Sequence, residues 1–326
     1  MDQNAQNVVL AYWRNLDQAR PDLTRSPPVP GKTRGIDFYS PATFHSAFGE
    51  ALARFFHAHH RMPDLQRMPQ SCDHFFAMKF FEPIAMSPNP ASKLNAALFL
   101  NEELADKIRI PKRYGIAPVP VLPPDDAVPA GRYWLKLDLG NAKQEMVTWP
   151  PSPQERETLV ARMQKWFSSR YGVIWGEWWY GVGEQRIYLE EDLSDDVRDG
   201  CELKYFVRKG RPSLYYNVKY KLEAGVKVTV LRYFDEDGNP MEGSASYGVN
   251  GTKFRGDYDA PAFDGMDTVR QAVSVIGQLF SLVRVDFFIV PGARPILGEI
   301  TLCHNNARLV HSPPSFEQRV TKALFG

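Results

Sequence analysis

LVRVDFFIV (282–290) and PILGEITL (295–302) are two β-prone runs separated by Pro291 to Arg294. In the first, Arg284 and Asp286 alternate with Val283, Val285, Phe287 and Ile289, so the polar pair projects from one face of a strand and the apolar set from the other. In the second, Glu299 and Thr301 share a face in the same way. If Pro291 to Arg294 closes a hairpin, Val290 faces Pro295, and counting back sets Asp286 opposite Glu299 and Arg284 opposite Thr301. Two carboxylates opposed across strands, with Cβ atoms about 5 Å apart, repel each other and require a compensating cation. Magnesium takes oxygen ligands and needs only one or two protein carboxylates when phosphate oxygens complete its shell. The pair is therefore a candidate magnesium site on a bound nucleotide; a plain ion pair between Arg284 and Asp286 meets the same requirement.

Upstream, Val269, Val273, Ile276 and Phe280 recur at helical spacing and predict a helix over 267–281. Gly, Ser and Asp without periodicity between Met241 and Phe263 predict a long loop, a candidate substrate loop. Val226 to Phe234 reads as a strand ended by the turn residues Asp237 and Gly238. LKYFVRKGRPSLYYNVKY reads as a hairpin turning at Lys209 to Pro212, which sets Lys204 on a face with Phe206 and opposite Asn217. IYLEED is a further strand. Ser152, Pro153 and Glu155 supply an N-cap, a first-turn proline and a capping-box acid for a helix running to Tyr171. Leu135, Leu137 and Leu139 alternate with Lys136 and Asp138 in another strand. Five prolines between Pro118 and Ala130 mark a subdomain boundary. Phe44, Phe48, Leu52 and Phe55 predict an amphipathic helix over 41–60. His57 and His60 at its end lack a carboxylate partner motif and read as a solvated helix end. Residues 21–35 read as a surface arm, and Trp175, Trp178, Trp179 and Tyr180 as aromatics packed between subdomains.

Composition bounds the function. With 326 residues, 44% apolar and 24% charged, the chain can bury a sizeable core in about two units. Its 39 basic side chains against 38 acidic ones create no summed field that would draw in nucleic acid or an anionic membrane. No run approaches the roughly 18 apolar residues of a membrane span, and the polar stretch 1–20 lacks a secretory apolar core, so a cytoplasmic address is expected. Cys72, Cys201 and Cys303 form no CxxC pair and are expected to be buried thiols.

VRVDFF followed by LGEIT resembles the end of the ATP-grasp superfamily, in which Arg, one residue and Asp precede a strand bearing Glu. The resemblance implies an α+β ATP-grasp fold: two α+β subdomains gripping ATP, with an N-terminal helical region. Residues 1–120 would be that region and 121–326 the ATP-grasp domain, divided into a lid subdomain (121–189) and a C-terminal subdomain with the metal site (190–326). It implies Asp286 and Glu299 as magnesium ligands, with Thr301 where superfamily members usually carry Asn; Asn305 or Asn306 is the alternative oxygen donor. Arg284 would stabilise the acyl-phosphate and tetrahedral transition states. Lys93 in NPASKL and Lys136 in YWLKLDLG would hold ATP phosphates, and Lys204 the terminal ones. Glu190 would approach the adenine amino group, with Glu191 and the backbone of Leu193 nearby.

Within the superfamily, DHFFAMKFF, NPASKL, WGEWWYG, YLEEDL, ELKYFVRKGRP and LGEIT are similar to the TupA-like branch, over about two thirds of the chain. Relatives there are associated with polysaccharide and glycopeptide biosynthesis. The resemblance implies a ligase dependent on ATP and Mg2+ that joins a carboxylate to an amine, each a small molecule or glycan-linked. The competing readings are a kinase acting on a sugar-like hydroxyl and a non-catalytic nucleotide-binding module, the latter suggested by DLGNAKQ, which has only Gly140 and Asn141 where a phosphate-covering loop is usually Gly-rich.

Overall fold

The computed structural model describes residues 3–25, 32–169, 171–197, 200–223, 226–249, 254 and 263–326. The chain begins with α1 (Gln3–Ala19), α2 (Pro21–Thr24), β1 (Lys32–Thr33), α3 (Gly35–Phe38), α4 (Pro41–His59), α5 (Ser71–Phe81), β2 (Ile84–Ala85), a 3-10 helix (Lys93–Phe99) and α6 (Glu102–Ala105), with β1 paired to β2. The arm expected over 21–35 thus carries short structured pieces, and 26–31 lie outside the described residues. In α4 the predicted face is buried, because Phe44, Phe48, Leu52 and Phe55 all point into the core. Ser40 caps it by accepting from the Thr43 amide, and His60 ends it in the left-handed conformation at φ 52°. Trp13, Phe76 and Phe80 meet Phe48 edge-on. His57 and His60 are exposed, and no metal-ligating cluster exists among the described residues.

A smaller sheet follows: β3 (Arg113–Ala117), β4 (Gly131–Leu137), β5 (Gln144–Trp149) and β6 (Ile187–Glu191), ordered β3-β6-β4-β5 and antiparallel throughout. One strand, β3, comes from before the proline-rich segment. Between β5 and β6 lie α7 (Pro153–Phe167) and α8 (Tyr171–Trp175). The Ser152–Glu155 capping box opens α7 as expected, and Leu159, Met163 and Trp166 cover Tyr133, Leu135 and Val147 of the sheet. α7 stops at Phe167, short of the expected Tyr171. The hydroxyls of Ser168 and Ser169 donate to the carbonyls of Lys165 and Trp166, competing with further helical turns.

The larger sheet comprises β7 (Cys201–Arg208), β8 (Arg211–Glu223), β9 (Val226–Phe234), β10 (Pro240–Met241), β12 (Val283–Ile289) and β13 (Ile296–Thr301), in the order β10-β9-β8-β7-β12-β13. β11 (Ser244–Tyr247) pairs with β14 (Leu309–Ser312), so part of the expected 241–263 loop is strand. Residues 250–253 and 255–262 of that loop lie outside the described residues. α9 (Met266–Gly277) ends before the expected Ser281, and α10 (Pro314–Phe325) follows β14. The α+β class that the resemblance implies is what the topology shows, antiparallel sheets with helices packed on them. No helix among the described residues is long and apolar enough to cross a membrane, and all three cysteines are buried free thiols.

One face of the larger sheet is dry. Leu203, Tyr205, Val207, Val283 and Val285 are buried, as are Val269, Val273 and Ile276 of α9, which packs against β7 and β8. The approach is close enough that a Cβ on Gly277 would fall 2.3 Å from Val207 Cγ2. Gly277→Ala should therefore destabilise the protein by about 1–2 kcal/mol, overpacking outweighing the gain in helix propensity. Urea unfolding measures this, and a stabilised variant would show that the helix can shift at no cost.

Candidate functional site

The opposite face of the larger sheet carries the charge. Tyr233, Tyr216, Lys204, Asp286 and Glu299 are successive cross-strand partners over β9, β8, β7, β12 and β13. Beside that row run Leu214, Phe206, Arg284 and Thr301. The pairings of Asp286 with Glu299 and Arg284 with Thr301 are those expected from the sequence. Two registers differ from expectation. Lys204 faces Tyr216, not Asn217, because the turn is two residues long, with Arg208 opposite Arg211, and a bulge between Phe206 and Val207 recovers one of the two residues by which that tighter turn moves the register. Val290 does not face Pro295 in register, because a second irregularity follows Asp286 and pairs Phe287 with Leu297. Gly298 is the extra residue there; a Cβ on it would lie 3.1 Å from the Asp286 carbonyl oxygen.

Asp286 is buried, and the cations its repulsion from Glu299 demands are protein groups. Arg284 grips it with two N–H bonds, Nε to Oδ1 at 2.6 Å and a terminal nitrogen to Oδ2 at 2.7 Å. Lys204 Nζ adds a third at 2.7 Å and also pairs with Glu202 at 3.0 Å. Burial alone would push the Asp286 carboxyl up, but Arg284 and Lys204 outweigh it and hold it below the usual carboxylate range. The same balance raises Lys204: burial opposes its charge, and Asp286 and Glu202 prevail. Arg284 also donates to Thr301 Oγ1 at 3.0 Å and to His304 Nδ1 at 2.7 Å, and stands 3.8 Å from Glu299.

Burial and the adjacent Arg284 hold His304 well below the ordinary imidazole range, so it is neutral and accepts from Arg284 at Nδ1. Its folded value lies under its unfolded one, near 6.5, so its contribution to stability is full above that pH and is lost as pH falls through the folded value. His304→Gln should flatten the fall in unfolding free energy between pH 6.5 and 5, a slope of up to about 1.4 kcal/mol per pH unit for one group. An unchanged slope in urea melts would assign the titration to His59 and His74, which burial also depresses.

On the smaller sheet Glu190 is buried between two cations, accepting from Lys136 Nζ and from Arg113 Nε at 3.1 Å. Lys93 opens the 3-10 helix that packs on β13, and its Nζ donates to the carbonyls of Asp138 (3.1 Å) and Gly140 (2.7 Å), which ties down the DLGNAKQ turn. Burial lowers the Lys93 ammonium; Glu299, Asp138 and Glu190 oppose that shift, which places Lys93 between the two sheets' charges. Glu191 accepts from Arg109 and from the Lys112 amide, both at 2.9 Å. Leu193 is buried, its carbonyl accepting from the Val197 amide at 2.9 Å.

A cavity of about 460 Å³ opens over the charged row and is lined, among others, by Lys204, Arg284, Glu299 and Thr301. Lys93, Lys136, Glu190, Glu191 and Leu193 lie outside its lining. Its lining also holds Tyr180 of the aromatic motif, Asn141 of the DLGNAKQ turn, and groups that the sequence did not flag: Glu177, Tyr171 as a site residue, and Arg308. Burial raises the Glu177 carboxyl, with Lys79 and Tyr171 partly offsetting it. Lys79 is itself buried and donates to the Trp175 carbonyl at 2.7 Å and to Asn306. The only sequence signal for Glu177 is an acid embedded in WGEWWYG. Trp178 and Trp179 of that motif are core residues, whereas Trp175 stacks under Arg54 at 3.6 Å and faces the cavity.

The donor set suits a phosphate-bound cation. A carboxylate offers about four acceptor positions; Asp286 has three N–H bonds, leaving one, and Glu299, with 41% of its side chain exposed, accepts among the described residues only from Thr301 at 3.4 Å. The buried Tyr188 hydroxyl, within the field of Glu190, Asp138 and Glu299, has no hydrogen-bond partner among the described residues. It is an unmet polar group where the two sheets meet.

No family model matches the sequence, and no curated protein matches it. The fold is similar to that of the ATP-grasp ligase PsnB complexed with minimal precursor (11% identity over 66% of this chain and 52% of that one, TM-score 0.36). It is also similar to D-alanine--D-alanine ligase from Bacillus anthracis (14%, 65% and 57%, TM-score 0.39) and to D-alanyl-alanine synthetase A from Vibrio cholerae (13%, 73% and 61%, TM-score 0.42). The chain spans between half and about three fifths of the length of these three proteins. At such identities and TM-scores the likeness decides neither reaction nor substrate.

Proposed function

We propose that the protein is an ATP-grasp enzyme that uses ATP and Mg2+ to activate a carboxylate as its acyl phosphate and passes the acyl group to an amine. The observation that supports this reading is the row Lys204, Asp286 and Glu299 flanked by Arg284, of which Lys204, Glu299 and Arg284 line one cavity and Asp286 is buried beneath them. A half-open carboxylate beside a buried, doubly paired one suits a cation shared with phosphate, and the adjacent lysines suit the phosphates themselves.

In this reading Glu299, Asp286 and Thr301 hold the magnesium, which when bound neutralises and polarises the phosphates. Lys136, Lys93 and Lys204 contribute positive charge toward a triphosphate, and Glu190 orients Lys136 and is the group proposed for the adenine, with Glu191 and Leu193 further along that segment. Arg284, fixed by Asp286 and His304, presents a preorganised cation to the oxyanion formed when the amine attacks, a type of contribution worth about 3–4 kcal/mol. Glu177, across the cavity, has the raised proton affinity suited to take the proton the amine loses. The walls formed by Tyr171, Trp175, Tyr180, Tyr216 and Tyr220 suit a sugar ring, which supports glycan-linked substrates within the proposal.

The test is product stoichiometry with panels of carboxylates and amines. A ligase yields ADP and inorganic phosphate in equal amounts, dependent on both organic substrates. ADP without free phosphate would identify a kinase, and no ADP with any acceptor would leave a nucleotide-binding module.

A further inference from the structure

The hairpin joining β7 to β8 breaks two rules that sheets ordinarily obey. Arg208 and Arg211 are direct cross-strand partners, and like charges so placed destabilise a hairpin. Between them Lys209 and Gly210 form a two-residue loop with both φ angles positive, 48° and 78°. That turn is at ease with Asn-Gly, and a lysine in its first position is strained. Three of the four residues from Arg208 to Arg211 are thus basic, in a turn whose backbone and pairing both disfavour them.

The turn forms one side of a cavity of about 850 Å³, whose lining adds Arg319 and Lys322 from α10 and, on the acidic side, Asp235 and Glu236. Lys209, Arg211, Arg319 and Lys322 are exposed and have no acidic partner among the described residues. Arg208 reaches the Gly326 carbonyl. Asp235 is oriented by its own turn, accepting from the amides of Asp237 (3.1 Å) and Asn239 (2.8 Å), and with Glu236 it offsets two of the five cations, so the lining stays net positive. The chain as a whole is close to neutral, and this end of the sheet is a local concentration of positive charge.

We propose that this groove, at the turn end of β7 beyond Lys204, is an anion-binding site for a ligand bearing several closely spaced phosphate groups. Phosphates satisfy the arrangement best: guanidinium groups bind them with paired N–H bonds, and each phosphate brings more charge into a small volume than a carboxylate does. The bound anion supplies the countercharge that the Arg208–Arg211 pair and Lys209 lack. The inference does not rest on the proposed ligase reaction.

Inorganic tripolyphosphate is titrated calorimetrically, without magnesium, into the full chain, into Arg211→Glu/Arg319→Glu and into Lys93→Ala/Lys136→Ala, with citrate as a parallel ligand. The groove variant should bind at least tenfold more weakly than the parent while keeping its melting temperature, and the lysine variant should retain the groove's binding equivalent. Arg211→Lys/Arg319→Lys should fall between, because lysine keeps the charge and loses the fork. Equal affinity of the parent and Arg211→Glu/Arg319→Glu, or no binding by the parent at millimolar tripolyphosphate, would overturn the site. Citrate binding as tightly as tripolyphosphate would overturn its assignment to phosphate.

Discussion

Glu299→Gln is expected to lower ATP-dependent turnover about a thousandfold, the loss of about 4 kcal/mol of charge stabilisation at the phosphates, while shifting the melting temperature by no more than about 2 °C. The two halves of that expectation have separate causes. Glu299 presents an acceptor-rich carboxylate to the cavity, with one weak hydroxyl hydrogen bond among the described residues, so an amide there loses the capacity to hold a cation. Its side chain is partly in water and 3.8 Å from Arg284, so little native-state stability depends on its charge. Steady-state phosphate release and thermal melts of the same preparation decide it. Retained turnover would remove Glu299 from the metal site.

Asp286→Asn should behave in the opposite way and destabilise the fold by about 3–5 kcal/mol, because it removes the carboxylate that two buried cations share and leaves Arg284 only the more distant Glu299 and Lys204 only Glu202 among the described residues. Lys204 and Arg284 converge on one carboxylate through three bonds of 2.6–2.7 Å, and without it they face each other. For a chain of this size that is a fall of roughly 10 °C in melting temperature. The deficit depends on pH in a definite direction. Asp286 has a folded value below its unfolded one, so its contribution is full above about pH 3.9 and disappears as pH falls through the lower folded value. The gap between variant and parent should therefore persist at neutral pH and narrow under strong acid. Replacing Lys204, Arg284 and Asp286 together by Met, Met and Leu should recover much of the lost stability. A deficit under about 1 kcal/mol at pH 7 would mean water already solvates the cluster.

Where strands alternate cleanly, the sequence was legible down to single pairs. The faces of β12 and β13 follow from a period of two, and Asp286 opposite Glu299 came from counting across a short loop. The same counting set Val290 against Pro295 and Lys204 against Asn217, both one residue off: a bulge, which leaves no periodic mark, displaces the first, and the second combines a turn two residues tighter than expected with a bulge that recovers one. What neutralises Asp286 was only half visible. Arg284 is two residues away on the same strand, whereas Lys204 is 82 residues away and arrives because β7 lies beside β12. Glu177 was illegible as a site residue for a similar reason. Its character comes from Lys79 and Tyr171, which the fold brings to it, and its sequence neighbours are core tryptophans. Lys93 and Lys136 could be named as candidates, but their positions against Gly140 and Glu190 depend on how the turn after β4 packs.

The most direct test of the proposed site is the melting temperature of the full chain with ATP, with Mg2+, and with both, run beside Glu299→Gln. A ligand held only by the folded state at a hundred times its dissociation constant adds about 2.7 kcal/mol, a rise of roughly 5–10 °C. The site built on Asp286 and Glu299 predicts that rise in the parent only when ATP and Mg2+ are both present, and its loss in the variant. An equal rise with ATP alone, or in Glu299→Gln, would contradict the magnesium site, and no rise at ATP well above millimolar would contradict nucleotide binding altogether.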